Sequence, residues 1–256
     1  MRKSSKELKL KHMTTCEVDS VLTSQAPLFL PMGTLEAHGR HLPSGTDTIC
    51  AEEVALALAR TFGGVVAPPI EYGLTNVFAQ TAPASFSPVS VFSDYVENVI
   101  VGFLKHGFTK IVIINGHGGN REPLKPLIRK MSRRGRAALA VINWWILATD
   151  VSKKIYGEAS DGHAALEETS CVLAKYPELV KKEFFEKEKD LYIPDDGIWL
   201  FPPPGEVLIS EPEKGLPDFS QDKAEKFFDA VIDDIKGRLS VWFDSLGKFQ
   251  NKRGLR

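Results

Sequence analysis

Apolar runs punctuated by glycine and proline divide this 256-residue chain into alternating strand and helix signals. Leu28, Phe29 and Leu30, held between Pro27 and Pro31, read as a short buried strand. Val54, Leu58 and Phe62 recur four apart beside the row Ala51, Ala55, Ala59, which predicts an amphipathic helix ended by Gly63-Gly64. Val65 to Ala67 is a second strand, and the stretch from Pro68 to Pro88 is loop-like. Ser87-Pro88 reads as a cap with proline at the first helical position, and Phe92, Val96, Ile100 and Phe103 line one face of the helix that follows. Ile111 to Ile114 is apolar without alternation, the mark of a central strand covered on both faces. A helix is expected to begin near Glu122-Pro123. Leu139 to Trp144 predicts another strand, Ala164 to Lys175 a helix, and Lys181 to Asp190 a solvent-facing helix of mixed charge. Phe227, Val231, Ile235 and Leu239 give a terminal helix over Lys223 to Trp242.

Strands alternating with helices imply an α/β fold with a largely parallel, layered sheet, and loops at the strand carboxyl ends are where such sheets place their chemistry. The length is simplest as one domain over residues 1–256. With 32 Lys plus Arg against 33 Asp plus Glu, the net charge of −1 argues against nucleic acid as a partner. Cys16, Cys50 and Cys171 are far apart and form no CxxC pair, so neither a thiolate zinc site nor a disulfide framework is expected. No apolar run approaches the ~20 residues that span a bilayer. No apolar run follows the lysine-bearing start, so it is not read as a signal peptide. These readings make the expected location cytoplasmic, away from membranes.

Three constellations carry candidate chemistry. The first, Glu36-Ala37-His38-Gly39-Arg40-His41-Leu42-Pro43-Ser44-Gly45-Thr46-Asp47, gathers two carboxylates and two imidazoles on one glycine-broken loop. In an extended segment Glu36 and His38 point to the same side. One neutral imidazole with two carboxylates suits Zn, Mn or Fe. Taken singly, Asp47 is as well explained as a helix cap, and the others as solvated loop residues. The second, Asn115-Gly116-His117-Gly118-Gly119-Asn120, follows the buried run. A glycine-rich turn there invites phosphate, but it has neither the Gly-Lys-Ser/Thr ending of a P-loop nor GxGxxG. His117 is placed instead for metal ligation or proton transfer. The third, Asp161-Gly162-His163 through Glu167-Glu168-Thr169-Ser170, sets an imidazole where a helix begins. The helix dipole alone would favour both glutamates in its first turns, while His163 titrates near neutrality as an acid or base should.

In order and spacing these stretches resemble the creatininase family of metal-dependent amidohydrolases. The matching pieces are Gly33-Thr34-Leu35-Glu36-Ala37-His38-Gly39, His41-Leu42-Pro43, Gly45-Thr46-Asp47, the Asn115 to Asn120 loop, and His163 with Glu168-Thr169-Ser170. The resemblance covers roughly residues 26–175. It implies a three-layer α/β/α sandwich, a site for two divalent metal ions (Zn, Mn or Fe), and assembly as a homohexamer. It places Glu36, His38, Asp47 and His117 on the metals, with Asp47 bridging, and His163 as the catalytic histidine. For the remaining ligand it selects Glu168, whereas helical spacing from His163 favours Glu167. Trp145, Gly118 and Asn120 are candidates for contact with a small-molecule substrate. Gly118-Gly119 stand where creatininase carries a glutamate, and Leu166 stands where other relatives carry one; both departures argue against creatinine. A cyclic amide or formamide is the expected substrate. The alternatives are a cyclic diketone cleaved at a C–C bond, or a phosphate-binding protein without a catalytic metal. The basic cluster Arg129, Lys130, Arg133, Arg134 and Arg136 reads as a solvated helix end.

Overall fold

The computed structural model describes residues 8–75, 77–78, 88–132, 137–157, 162–195 and 197–253. Ser87, Asp161, Arg133, Arg134 and Arg136, singled out above, lie outside these residues. The chain opens with helix α1 (Thr15–Thr23), started by a capping box in which Thr14 and Glu17 satisfy each other's backbone N–H groups. Strand β1 (Leu28–Met32) follows, then α2 (Thr46–Phe62), the two-residue β2 (Val65–Val66), α3 (Val89–Lys105) and β3 (Lys110–Asn115). Next come α4 (Arg121–Ser132), β4 (Ala138–Asn143) and α5 (Trp144–Tyr156). Four strands form one parallel sheet in the order β2-β1-β3-β4.

The sheet is covered on both faces, and the strands divide their side chains between them by simple alternation. Leu28, Leu30, Met32, Ile111 and Ile113 pack with Phe92, Val96 and Ile100 of α3 and Leu124 and Leu127 of α4. Phe29, Val112 and Ile114 point the other way, into a core built with α2, α5 and the later helices α6 (Leu166–Lys175) and α8 (Gln221–Arg253). This is the three-layer α/β/α sandwich that the resemblance implied. Phe227, Val231, Ile235 and Leu239 form the buried stripe of α8. Cys50 and Cys171 are buried and unbridged, and Cys16 is exposed.

Three details differ from the sequence reading. Trp144 does not end a strand; it begins α5, which closes on Gly157 in the left-handed conformation. The charged run Lys181 to Asp190 is no continuous helix: a 3-10 turn at Lys182–Phe184 is followed by the single turn α7 (Lys187–Asp190). A second small sheet is built from β5 (Gly162–His163), β6 (Leu191–Tyr192) and β7 (Val207–Ile209), in the order β5-β7-β6. Among the described residues no helix is long and apolar enough to cross a membrane.

Candidate metal centre

The parallel sheet and the small sheet bring three loops together. Glu36, His38 and Asp47 come from the connection between β1 and α2, with Asp47 already in the first turn of α2, where the helix dipole favours an anion. His117 follows the end of β3 and its backbone N–H donates to Asn115 Oδ1. His163 lies on β5, and Glu168 is in the first turn of α6. Between them Ala164 takes a left-handed backbone, φ 53°, which turns the chain so that the Glu168 carboxylate accepts the Ala164 N–H at 2.6 Å. That reversal defeats the helical-spacing argument for Glu167. Among the described residues Glu168, not Glu167, joins the cluster of potential ligands.

The Asp47 carboxylate is divided between two imidazoles. Oδ1 lies 3.0 Å from His38 Nε2, and Oδ2 lies 2.9 Å from His117 Nδ1. Glu36 Oε1 is 3.2 Å from His117 Nδ1, and Glu168 Oε2 is 3.7 Å from His38 Nε2. Two groupings of donor atoms result, Glu36–Asp47–His117 and His38–Asp47–Glu168, which share Asp47. A third grouping, Glu36–His38–His163, overlaps both. Glu36, His38, Asp47, His117 and Glu168 are all buried, and His163 keeps 16% of its side chain exposed.

Each of the three imidazoles is held from outside by a backbone carbonyl. His38 Nδ1–H donates to Glu36 O at 3.2 Å, His117 Nε2–H to Leu74 O at 2.7 Å, and His163 Nε2–H to Ala37 O at 2.7 Å. The inner nitrogen of each ring then faces carboxylates. A lone pair aimed at a carboxylate oxygen is repulsive unless a cation lies between them, and metal-ligating histidines are commonly anchored in this way. Both Glu36 carboxylate oxygens and Asp47 Oδ2 are buried without a hydrogen-bond donor, a demand for positive charge that a divalent ion satisfies.

The electrostatics carry the same demand. Burial alone would lower His38, but the Asp47 carboxylate, its hydrogen bond and Glu168 raise it to about 10. His117 is likewise pushed well above its ordinary value by Asp47 and Glu36, against the effect of burial. Burial raises Asp47 and Glu36, yet the neighbouring imidazoles leave both below the usual carboxylate range. Glu168 differs: burial dominates and lifts it to about 7. His163 is driven down to about 4, chiefly by burial and then by the adjacent His38.

The other expected residues are placed differently. Asn120 is fully buried and spends its amide on the framework: Oδ1 accepts Leu74 N–H, and Nδ2 donates to Gly33 O and Asn115 Oδ1. These bonds tie the three connections together. Gly118 is exposed, with open space where a Cβ would stand; the demanding glycine is Gly119, whose Cβ would fall 2.2 Å from Leu74 O. Trp145 is half-buried on α5 and packs against the core beneath the sheet. His41, part of the same histidine loop, turns away to pair its Nε2 with Thr169 Oγ1 at 3.0 Å, among the rings of Phe185 and Phe219. The sequence reading missed Gly73, Leu74 and Phe78, which border the cluster. Gly73 N–H donates to Thr34 Oγ1, Leu74 holds His117, and Phe78 stacks on His163. Their contributions are mostly backbone, which leaves no sequence signature.

The family model for creatininase, described as creatinine amidohydrolase, matches residues 11–236. A curated 3-dehydro-scyllo-inosose hydrolase of Thermotoga maritima is 32% identical over 196 residues, covering 73% of this chain and 62% of the relative. The creatinine amidohydrolase of Pseudomonas putida is 27% identical over 194 residues, covering 69% of this chain and 75% of the relative. The chain therefore spans less than two thirds of the length of the Thermotoga protein. Among solved structures, a crystal structure of creatinine amidohydrolase superposes with a TM-score of 0.79 at 23% identity, over 93% of this chain and 99% of that one. Others of the same fold are described as a Zn–Zn type mutant creatininase and as creatininase with Mn, each at a TM-score of 0.78. By a match that runs through nearly the whole sandwich and all three loops of the cluster, the chain belongs to the creatininase family.

Proposed function

We propose that the chain is a dinuclear metal hydrolase acting on a small carbonyl compound, a cyclic amide or formamide. The observation that carries this reading is the division of Asp47, one oxygen toward His38 and the other toward His117, so that a single carboxylate belongs to both donor groupings. Glu36 and His117 would complete one metal position, and His38 and Glu168 the other. Two divalent ions held there would supply a nucleophilic water near neutral pH and polarise the carbonyl under attack. The similarity to zinc- and manganese-containing creatininases supports the choice of metal.

The chain's own residues have separate tasks. The backbone carbonyls of Glu36 and Leu74 fix the tautomers of His38 and His117 with the lone pair inward. His163 has its Nε2–H committed to Ala37 O, so Nδ1, 3.6 Å from Glu36 Oε1, is the atom that accepts and returns a proton. Held low by burial, it stays neutral and ready to accept at physiological pH. It delivers that proton to the leaving group as the tetrahedral adduct collapses. A second reading keeps the site and changes the leaving atom to carbon, with a cyclic diketone as substrate; the similarity to the Thermotoga inosose hydrolase favours it.

Metal analysis after loading with manganese or zinc and exhaustive dialysis tests the reading. The expected result is two ions per wild-type chain and loss of both from Asp47→Asn. A wild-type chain that retains no ion overturns it. Loaded protein offered creatinine, formamides, lactams and cyclic diketones then separates the two substrate classes.

A further inference from the structure

His163 is packed against two rings. The His38 imidazole lies 4.3 Å away, centroid to centroid, at 43°, and the Phe78 ring lies 4.5 Å away at 25°, a stacked geometry. Phe78 is 2% exposed. Earlier in the same part of the chain, Gly73 is anchored by Thr34 and Leu74 by Asn120 and His117.

A carbonyl whose leaving group takes a proton from His163 must itself lie beside that imidazole, where the Phe78 ring also stands, so the acyl group it carries meets the ring. We infer that Phe78 is a specificity-determining residue, an aromatic wall that restricts the group borne by the reacting carbonyl to a compact, uncharged one. This rests on the hydrolase reading given above. A phenyl ring offers neither hydrogen bonds nor charge, so the wall selects by size and apolar contact. Aryl-bearing amides are excluded, and small aliphatic or heterocyclic ones are accepted.

Hydroxamates, which chelate divalent ions through a carbonyl-like group, probe the wall without turnover. Calorimetry on zinc-loaded protein would compare acetohydroxamate with benzohydroxamate. Wild-type protein is expected to bind the acetyl compound and discriminate against the benzoyl compound. Phe78→Ala is expected to improve benzohydroxamate binding by at least about tenfold, leaving acetohydroxamate within about twofold. Phe78→Leu serves if the alanine variant folds poorly, and Phe78→Trp is expected to restore the exclusion. Binding of both probes with an unchanged affinity ratio in Phe78→Ala and Phe78→Leu overturns the inference alone. Failure of zinc-loaded wild-type protein to bind either hydroxamate overturns the hydrolase reading and this inference with it.

Discussion

His117 Nε2 lies 2.7 Å from the carbonyl oxygen of Leu74, and that contact commits the ring to presenting Nδ1 to Glu36 and Asp47. The approach is possible because residue 119 has no side chain. A Cβ on Gly119 would stand 2.2 Å from Leu74 O and 2.6 Å from His117 Nε2. Gly119→Ala is therefore expected to weaken zinc or manganese affinity by about 10–100-fold and to cost about 1–3 kcal/mol of stability. Gly118→Ala, with nothing within 4 Å of the new methyl group, serves as the control. Metal titration and urea denaturation of the two variants measure both effects; equal behaviour would show that the Leu74 contact does not matter.

His163→Gln is expected to keep its metal and lose turnover by about 10²–10⁴-fold. The ring is tied to the backbone through Ala37 O, and its Nδ1 faces Glu36 at 3.6 Å. Metal content by mass spectrometry, alongside kcat on whichever substrate the panel identifies, separates the two effects. Full activity in the variant would remove His163 from the proton path.

His41 makes the fold sensitive to acid. Burial, reinforced by His38, lowers its pKa from 6.5 to about 4. Above pH 7 both folded and unfolded chains carry a neutral ring, so the group has no effect. As pH falls below 6.5 the unfolded chain binds a proton that the folded chain refuses, and stability drops until about pH 4. The loss is of the order of 3 kcal/mol for a shift of this size. Urea midpoints measured from pH 7 to pH 4 should show a shallower decline in His41→Gln than in wild type; parallel curves would contradict the assignment.

Phe227, fully buried on α8, lies with its ring 5.8 Å from that of Tyr156. Phe227→Ala is expected to destabilise the chain by about 3–5 kcal/mol through lost transfer energy and the cavity left behind. Equilibrium denaturation checks the value, and a loss below about 1 kcal/mol would mean that the helix layer collapses to fill the space.

The parts of the fold legible in the sequence are those whose burial is continuous. β1 and β3 are apolar runs because the sheet is covered on both faces there, β4 is an apolar run although it is half-buried at the sheet edge, and α2, α3 and α8 show their buried stripes at spacing of four. α5 was hidden because Trp144, Trp145, Ile146 and Leu147 prolong the apolar run of β4, so hydropathy alone cannot mark where strand becomes helix. β5, β6 and β7, at two or three residues each, are too short to display a period and exist through their tertiary pairing. At the centre, the side chains of Glu36, His38, Asp47, His117 and His163 could be gathered from their motifs. That Glu168 rather than Glu167 reaches the cluster goes with the left-handed backbone of Ala164, a residue type that does not advertise that conformation.

Asp47 lies at the start of the second helix and Glu168 at the start of the sixth, with His117 between them in the chain. A polypeptide emerging from the ribosome thus carries the first acidic half of the cage long before its other wall has been synthesised. Fragments ending ahead of α6 would already carry Glu36, Asp47 and His117, one whole donor grouping, and would lack only Glu168 of the other, so the two halves of the cluster become complete at different stages of synthesis.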